Sequence, residues 1–156
     1  MTSVHKIEFQ YHKSIIGELI IGSYKDKLCL LDYKYRNQRQ RVDLRLCKRL
    51  NTAFIENNNK IIDKTINELN AYLDGKLKKF SVPIRMVGSV FQKNVWEALQ
   101  KIPYGKTLSY IEITTKLNLK PTNVRAVASA NGANAISVII PCHRIIGNDG
   151  RLIGYA

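Results

Sequence analysis

Ser109-Tyr110-Ile111-Glu112-Ile113-Thr114-Thr115-Lys116-Leu117-Asn118-Leu119-Lys120-Pro121-Thr122-Asn123-Val124-Arg125-Ala126-Val127-Ala128-Ser129-Ala130-Asn131 is the stretch on which the reading of the fold turns. Ser109 and Glu112 have the spacing of a capping box, which predicts a short helix to about Leu117. Asn118 to Pro121 reads as a turn. Thr122 is placed to cap a further helix to about Asn131, with Gly132 as its C-terminal glycine. Two short helices joined by a tight turn form a helix-turn-helix candidate, and plain helix packing gives the same pattern. The last helix is clad in alanine and carries one arginine. Long polar side chains read base edges in a major groove, so this helix suits close approach to a narrow surface, a minor groove or another helix. Arg125 can reach into a base stack or contact a phosphate.

Working outward toward the N-terminus, Ser89-x-x-Gln92 is another capping box. Phe91, Val95, Leu99 and Ile102 line one face of the helix it opens, and Pro103-Tyr104-Gly105 stops it. The first half of the chain has a different texture. Residues 4–33 read as strands: Val4, Ile7, Phe9 and Tyr11 partly alternate with polar residues, and Lys25-Asp26-Lys27 marks a hairpin turn. Residues 42–55 switch to helical spacing, with Val42, Leu46, Leu50, Ala53 and Phe54 on one face. After the loop Asn57-Asn58-Asn59, a second stripe of Ile62, Ile66, Leu69 and Leu73 ends at Asp74-Gly75. Phe80 to Pro83 looks extended. The break between the two textures falls at Met86 to Ser89. The expected fold is therefore α+β: an α/β part over 1–85 and a mostly helical part over 86–156.

The chain of 156 residues carries 25 Lys and Arg against 12 Asp and Glu, a formal charge of +13. The excess is spread out. Residues 1–84 hold 16 basic and 9 acidic residues; residues 85–156 hold 9 and 3. No tail carries it, so the charge belongs to folded surface and favours a polyanionic partner. The three cysteines, Cys29, Cys47 and Cys142, form no C-x-x-C pair, which argues against a disulfide framework and a zinc site. His5 and His12 have no ligand spacing with them. No signal peptide opens the chain, and no apolar run approaches the ~18 residues of a membrane span. A reducing cytoplasmic setting is expected, where a thiol stays free.

Toward the C-terminus, Ile136-Ser137-Val138-Ile139-Ile140 reads as a short buried strand or extended segment ended by Pro141. Cys142 follows at its exit, beside His143 and Arg144. A thiol is nucleophilic as thiolate, and a neighbouring base or cation raises that fraction. The other reading of the same residues is a buried structural cysteine next to two surface basic groups.

Taken in order, Phe91-Gln92, Val95-Trp96, Ala98-Leu99, Ile102-Pro103-x-Gly105-x-Thr107, Ser109-Tyr110, Arg125-Ala126-Val127, Asn131 or Asn134, Ile140-Pro141-Cys142-His143-Arg144 and Gly150-x-Leu152-x-Gly154-Tyr155 resemble the O6-alkylguanine-DNA alkyltransferases, the methylated-DNA–protein-cysteine methyltransferases. The likeness covers Gly88 to Tyr155. Residues 1–85 are similar only in style to the family's ribonuclease-H-like domain. The resemblance implies direct DNA repair: an alkyl group on O6 of guanine, with O4-alkylthymine a further candidate, passes once to the protein's own cysteine, with no metal or organic cofactor. It implies Cys142 as acceptor and His143 as a base acting through a water. By the same likeness Tyr110 contacts the flipped base, Arg125 fills the vacated stack and Asn134 braces the helix-turn-helix against the active-site turn. Arg144 belongs to the motif, the carbonyls of Cys142 and Ile145 accept from guanine's exocyclic amine, and Tyr155 walls the pocket. The partner implied is double-stranded DNA, approached from the minor groove by a monomer with no membrane association.

Two departures stand against the family pattern. In the family, a glycine pair, a helix and a glutamate that orients the histidine follow the equivalent of Tyr155; this sequence is expected to lack them. Leu119-Lys120 stands where a glycine is usual, and the spacing from Tyr110 to Arg125 is one residue longer than the family pattern. The alternatives are an alkyltransferase-like protein that grips damaged DNA and recruits repair partners, a transcription regulator using the helix pair, and a cysteine hydrolase. The presence of Cys142 weighs against the first, the alanine-rich helix against the second, and the lack of an oxyanion motif against the third.

Overall fold

The computed structural model describes residues 5–147. It is a mixed α+β structure that divides into two compact units, Met1–Val87 and Gly88–Ala156. In the first unit, strands β1 (Ile7–Ser14), β2 (Gly17–Tyr24), β3 (Lys27–Tyr33) and β4 (Phe54–Glu56) form one sheet in the order β3-β2-β1-β4. β1, β2 and β3 are an antiparallel meander. Lys25 and Asp26 both have positive φ, 48° and 63°. That is the left-handed geometry a two-residue hairpin needs to match the twist of its strands. Ile7, Leu19, Ile21, Leu28 and Leu30 are almost fully buried, joined by Leu46 of helix α1 (Arg39–Leu50) and by Ile62 and Leu69 of helix α2 (Lys60–Leu73).

The helical stripe expected over 42–55 is corrected at its C-terminal end. α1 stops at Leu50 because Asn51 turns left-handed (φ 50°) and donates its N–H back to the Cys47 and Lys48 carbonyls. Asn is one of the few residues that accepts this conformation cheaply. The chain then leaves the helix, and Phe54 pairs with Ile7 as the start of β4, parallel to β1. Ala53 and Phe54 fit the helical stripe by spacing alone; sheet pairing decides their state. α2 is capped by Asn59, whose side chain accepts from Ile62 N–H at 3.0 Å, and it ends at Asp74, followed by Gly75 at φ 76°. The segment from Ser81 to Arg85 is held in extended form. Leu28 N–H donates to the Pro83 carbonyl, Arg85 N–H to the Leu28 carbonyl, and the Glu68 carboxylate accepts from Ser81 and Val82 N–H.

The second unit contains helices α3 (Val90–Gln100), α4 (Tyr110–Lys116) and α5 (Val124–Gly132) and a two-stranded parallel pair, β5 (Leu108–Ser109) with β6 (Ile145–Ile146). Both capping boxes form: Ser89 with Gln92, and Ser109 with Glu112. α3 buries Val95, Trp96 and Leu99, and the Trp96 indole N–H donates to the Ala130 carbonyl of α5 at 2.8 Å. Gly88 lies against this ring. A Cβ there would fall 2.6 Å from Trp96 Cη2 and 2.6 Å from Gln92 Oε1.

Two local expectations are corrected. Thr122 does not cap α5. A 3-10 turn over Pro121–Asn123 precedes the helix, and the Asn123 side chain accepts from Lys120 N–H at 3.1 Å. Gly132 is the last helical residue rather than a left-handed stop, and Ala133 caps the end in right-handed geometry.

Candidate active site

The segment before Cys142 is a tight turn and not the strand its apolar run predicts. Ile140 N–H donates to the Ile136 carbonyl at 3.0 Å, and Val138 sits at φ 70°. A β-branched residue in the left-handed region is strained by ~1–3 kcal/mol, so something must hold it there. Asn134 does so. Its side chain is 1% exposed, donates to the Ile136 and Ile140 carbonyls at 3.2 and 2.8 Å, and accepts from Ile136 N–H at 3.0 Å. One amide thus folds the five residues Ile136–Ile140, four of them apolar, into a loop that ends at Pro141.

Cys142 opens the 3-10 turn Cys142–Arg144, and its N–H donates to the Ile140 carbonyl at 2.8 Å. It is buried, as are Ile140, Pro141 and Ile145. Ile145 pairs with Leu108 and Ile146 with Ser109 in the β5–β6 ladder. That pairing brings the N-terminus of α4 beside the cysteine turn. Tyr110, the first residue of α4, is consequently buried close to Cys142. Burial, reinforced by the charge Cys142 would carry, pushes the Tyr110 phenol above its ordinary value; the bond from Asn131 acts the other way. Tyr110 therefore presents a neutral O–H.

Asn131 joins the two. It lies on the inner face of α5, 2% exposed, and its Nδ2 is 3.4 Å from Tyr110 Oη and 3.5 Å from the Cys142 carbonyl. Its Oδ1 has no hydrogen-bond partner among the described residues. Sequence reading cited Asn131 only as one of two asparagines and placed Asn134 alone in the site. The available signal was an amide four residues after Val127, on the buried face of a helix, where an unpaired polar group is costly.

His143 is half-buried. Burial first, and the neighbouring Arg144 guanidinium second, hold its imidazole below the ordinary value of 6.5. It is neutral at physiological pH and able to accept a proton. Arg144 donates to the Ile102 carbonyl at 2.7 Å and lies 5.9 Å from the centre of the Tyr104 ring. Burial pushes Cys29 up to about 12, and burial also raises Cys47.

The residues singled out from sequence thus separate into three groups. Cys142, His143, Arg144, Ile145, Asn134 and Tyr110 converge on one turn. Arg125 stands apart from that turn, exposed near the start of α5 on an outer face it shares with Ala126 and Ser129. Tyr155 lies outside the described residues. Among the described residues, no helix is long and apolar enough to cross a membrane.

The family model for the 6-O-methylguanine DNA methyltransferase DNA binding domain matches residues 90–156. A methylated-DNA–protein-cysteine methyltransferase of Methanosarcina barkeri is 40% identical over 144 residues, 92% of this chain and 85% of that protein. The inducible methylated-DNA–protein-cysteine methyltransferase of Bacillus subtilis is 51% identical over 88 residues, 56% of this chain and 49% of that protein. Among solved structures, Mycobacterium tuberculosis OGT in complex with DNA superposes with a TM-score of 0.79 at 34% identity, covering 96% of this chain and 84% of that one. The Pyrococcus kodakaraensis O6-methylguanine-DNA methyltransferase shares the fold, with a TM-score of 0.65 at 20% identity.

Proposed function

This chain belongs to the methylated-DNA–protein-cysteine methyltransferase family, and from that premise we propose that it repairs DNA by moving an alkyl group from O6 of guanine, or O4 of thymine, onto Cys142. The observation that carries the assignment is the convergence on one turn of a buried thiol, a neutral imidazole and a neutral phenol. His143 takes the thiol proton through a water. The thiolate lone pair then forms the S–C bond in line with the breaking C–O bond. The bonding pair leaves with the base, and the proton returns to it, so guanine is restored and the thioether stays on the protein. No electron acceptor enters, and the acceptor is used once. Holding sulfur at contact distance from the alkyl carbon is worth ~7–11 kcal/mol over a bimolecular encounter.

The O6 substituent is unreachable in a stacked duplex, so the base is flipped out. Arg125 takes its place in the stack, and the small outer residues of α5 allow close approach to a minor groove. α4 and α5 act as the helix-turn-helix for this contact, within a DNA-binding and active-site domain over 86–156. Residues 1–85 form the ribonuclease-H-like companion domain, a reading supported by the mixed sheet with its parallel β4 edge. The cytoplasm, where thiols stay reduced, is the setting proposed for Cys142. The carbonyls of Cys142 and Ile145 receive the guanine amine. Asn134 holds the cysteine turn, and Arg144 fixes that turn to the end of α3 through Ile102.

Mass spectrometry after incubation with an oligonucleotide carrying O6-methylguanine tests this. One methyl per chain on the peptide containing Cys142, lost in Cys142→Ser and kept in Cys29→Ser and Cys47→Ser, is the expected result. Binding without transfer, or a methyl on Cys29, overturns it.

A further inference from the structure

Helix α1 has a charge pattern that its own stability does not explain. Arg41, Arg45, Lys48 and Arg49 stand at i, i+4, i+7 and i+8, which places all four on one face of the helix, along ~12 Å of its axis. Arg41, Lys48 and Arg49 are exposed, and Arg45 is half-buried. α1 holds a single acid, Asp43, and it is engaged by Arg39 at 3.0 Å. The nearest other carboxylate, Asp32, is buried and shared by Arg36 at 2.8 Å and Arg39 at 3.1 Å. Among the described residues, Arg41, Lys48 and Arg49 enter no ion pair.

A helix dipole welcomes cations in the last turn, which accounts for Lys48 and Arg49 but opposes Arg39 and Arg41 in the first turn, where there is no acid. The cations also crowd one another. Burial first, and then Arg36, Arg49 and Arg39, bring the Arg45 guanidinium down to about 10. A surface kept only for solubility intersperses both signs. Here one sign is gathered into a stripe at a cost to the helix, and three of its four members are arginines, whose planar fork pairs with phosphate oxygens two at a time.

We infer that the Arg41–Arg45–Lys48–Arg49 face of α1 is a second contact for the phosphate backbone of duplex DNA, in the unit that the family's DNA-binding model does not cover. The contact is electrostatic and blind to sequence. It adds to the duplex binding of the proposed function without requiring alkyl transfer, so the two readings fail separately.

The test is fluorescence anisotropy with an unmodified duplex across a potassium chloride series, using the full chain and the triple variant R41Q/K48Q/R49Q. These three side chains are exposed, and far-UV circular dichroism checks the helix. Neutralising three phosphate contacts should reduce the slope of log affinity against log salt by about 2.7, at ~0.9 per contact. The affinity gap should widen as salt is lowered. The charge-keeping variant R41K/K48R/R49K should hold the wild-type slope, and alkyl transfer from free O6-alkylguanine base should match wild type in both. An unchanged slope in the neutralised variant overturns the inference. Weakened binding of an acidic polypeptide with an unchanged DNA slope overturns it equally, and moves the stripe to a protein partner.

Discussion

Asn134→Ala removes the side chain that folds the cysteine turn, and its cost can be worked from the bonds it makes. Hydrogen bonds to Ile136 N–H, the Ile136 carbonyl and the Ile140 carbonyl are lost. The carbonyls keep second partners, since Ile136 O still accepts from Ile140 N–H and Ile140 O from Cys142 N–H. Each carbonyl therefore forfeits only about 0.5–1.5 kcal/mol. The Ile136 N–H is left buried and unpaired, at about 1–3 kcal/mol. Against this, the turn no longer has to hold Val138 at φ 70°, which returns part of ~1–3 kcal/mol of strain. The expected net loss is about 2–4 kcal/mol in the second unit, measured by urea unfolding.

Function should suffer more than stability at low denaturant. The relaxed turn carries Cys142 with it, and a misplacement of ~1 Å costs on the order of 100-fold in a single-turnover transfer rate. Val138→Gly supplies the complementary test. It removes the strain while leaving Asn134 in place, and should raise stability by about 1 kcal/mol with the rate unchanged. In the Asn134→Ala background its gain should shrink, because the strain has already been released. An Asn134→Ala protein within about 0.5 kcal/mol of wild type, or a destabilising Val138→Gly, refutes the account of a strained turn held by one amide.

Gly88→Ala places a methyl against both the Trp96 ring and the Gln92 oxygen of the capping box, so unfolding of the second unit should be easier by about 1–3 kcal/mol; no loss means the ring yields without cost. Arg125→Ala should slow repair in duplex DNA far more than reaction with free alkylated guanine, measured as two single-turnover rates; equal losses reject the stack-filling role. The His143 imidazole lies below 6.5 in the fold, so the unfolded chain binds that proton more tightly. Its stability contribution is present above 6.5 and is lost as pH falls from there through the folded value. Transfer rates should accordingly lose their basic imidazole only below 6.5. In Arg144→Gln the imidazole titration, followed by NMR, should move up toward 6.5; a downward move contradicts the assigned cause.

The elements that could be read from sequence are those whose signals are local. The two capping boxes close within three residues, and both formed; Lys25-Asp26-Lys27 announced its hairpin as a charged break before the next apolar run. Misreadings arose where distant partners decide. Phe54 fits a helical stripe by spacing, but Ile7, far away in sequence, claims it for the sheet. The run Ile136–Ile140 is apolar enough for a strand, yet Asn134 bends it from a position just outside the run. In the candidate site, Cys142, His143 and Tyr110 are carried by motif residues. Asn131 entered only as an alternative to Asn134, because it acts by facing inward from α5, and burial of one amide on a short helix leaves little trace in spacing.

Trp96 is the chain's only tryptophan, and it sits at the seam of α3 and α5 with its indole N–H bound to the Ala130 carbonyl. Its emission is therefore an optical label for the second unit alone, written into the native sequence. Indole fluorescence selectively excited away from the tyrosines will follow the opening of that seam, while far-UV circular dichroism follows both units at once. Coincident transitions mean the two halves melt as one cooperative body; separated transitions give each half its own midpoint. The same signal, watched while duplex is added, reports whether the helices that carry Arg125 and Tyr110 repack when DNA arrives, with no dye or engineered residue.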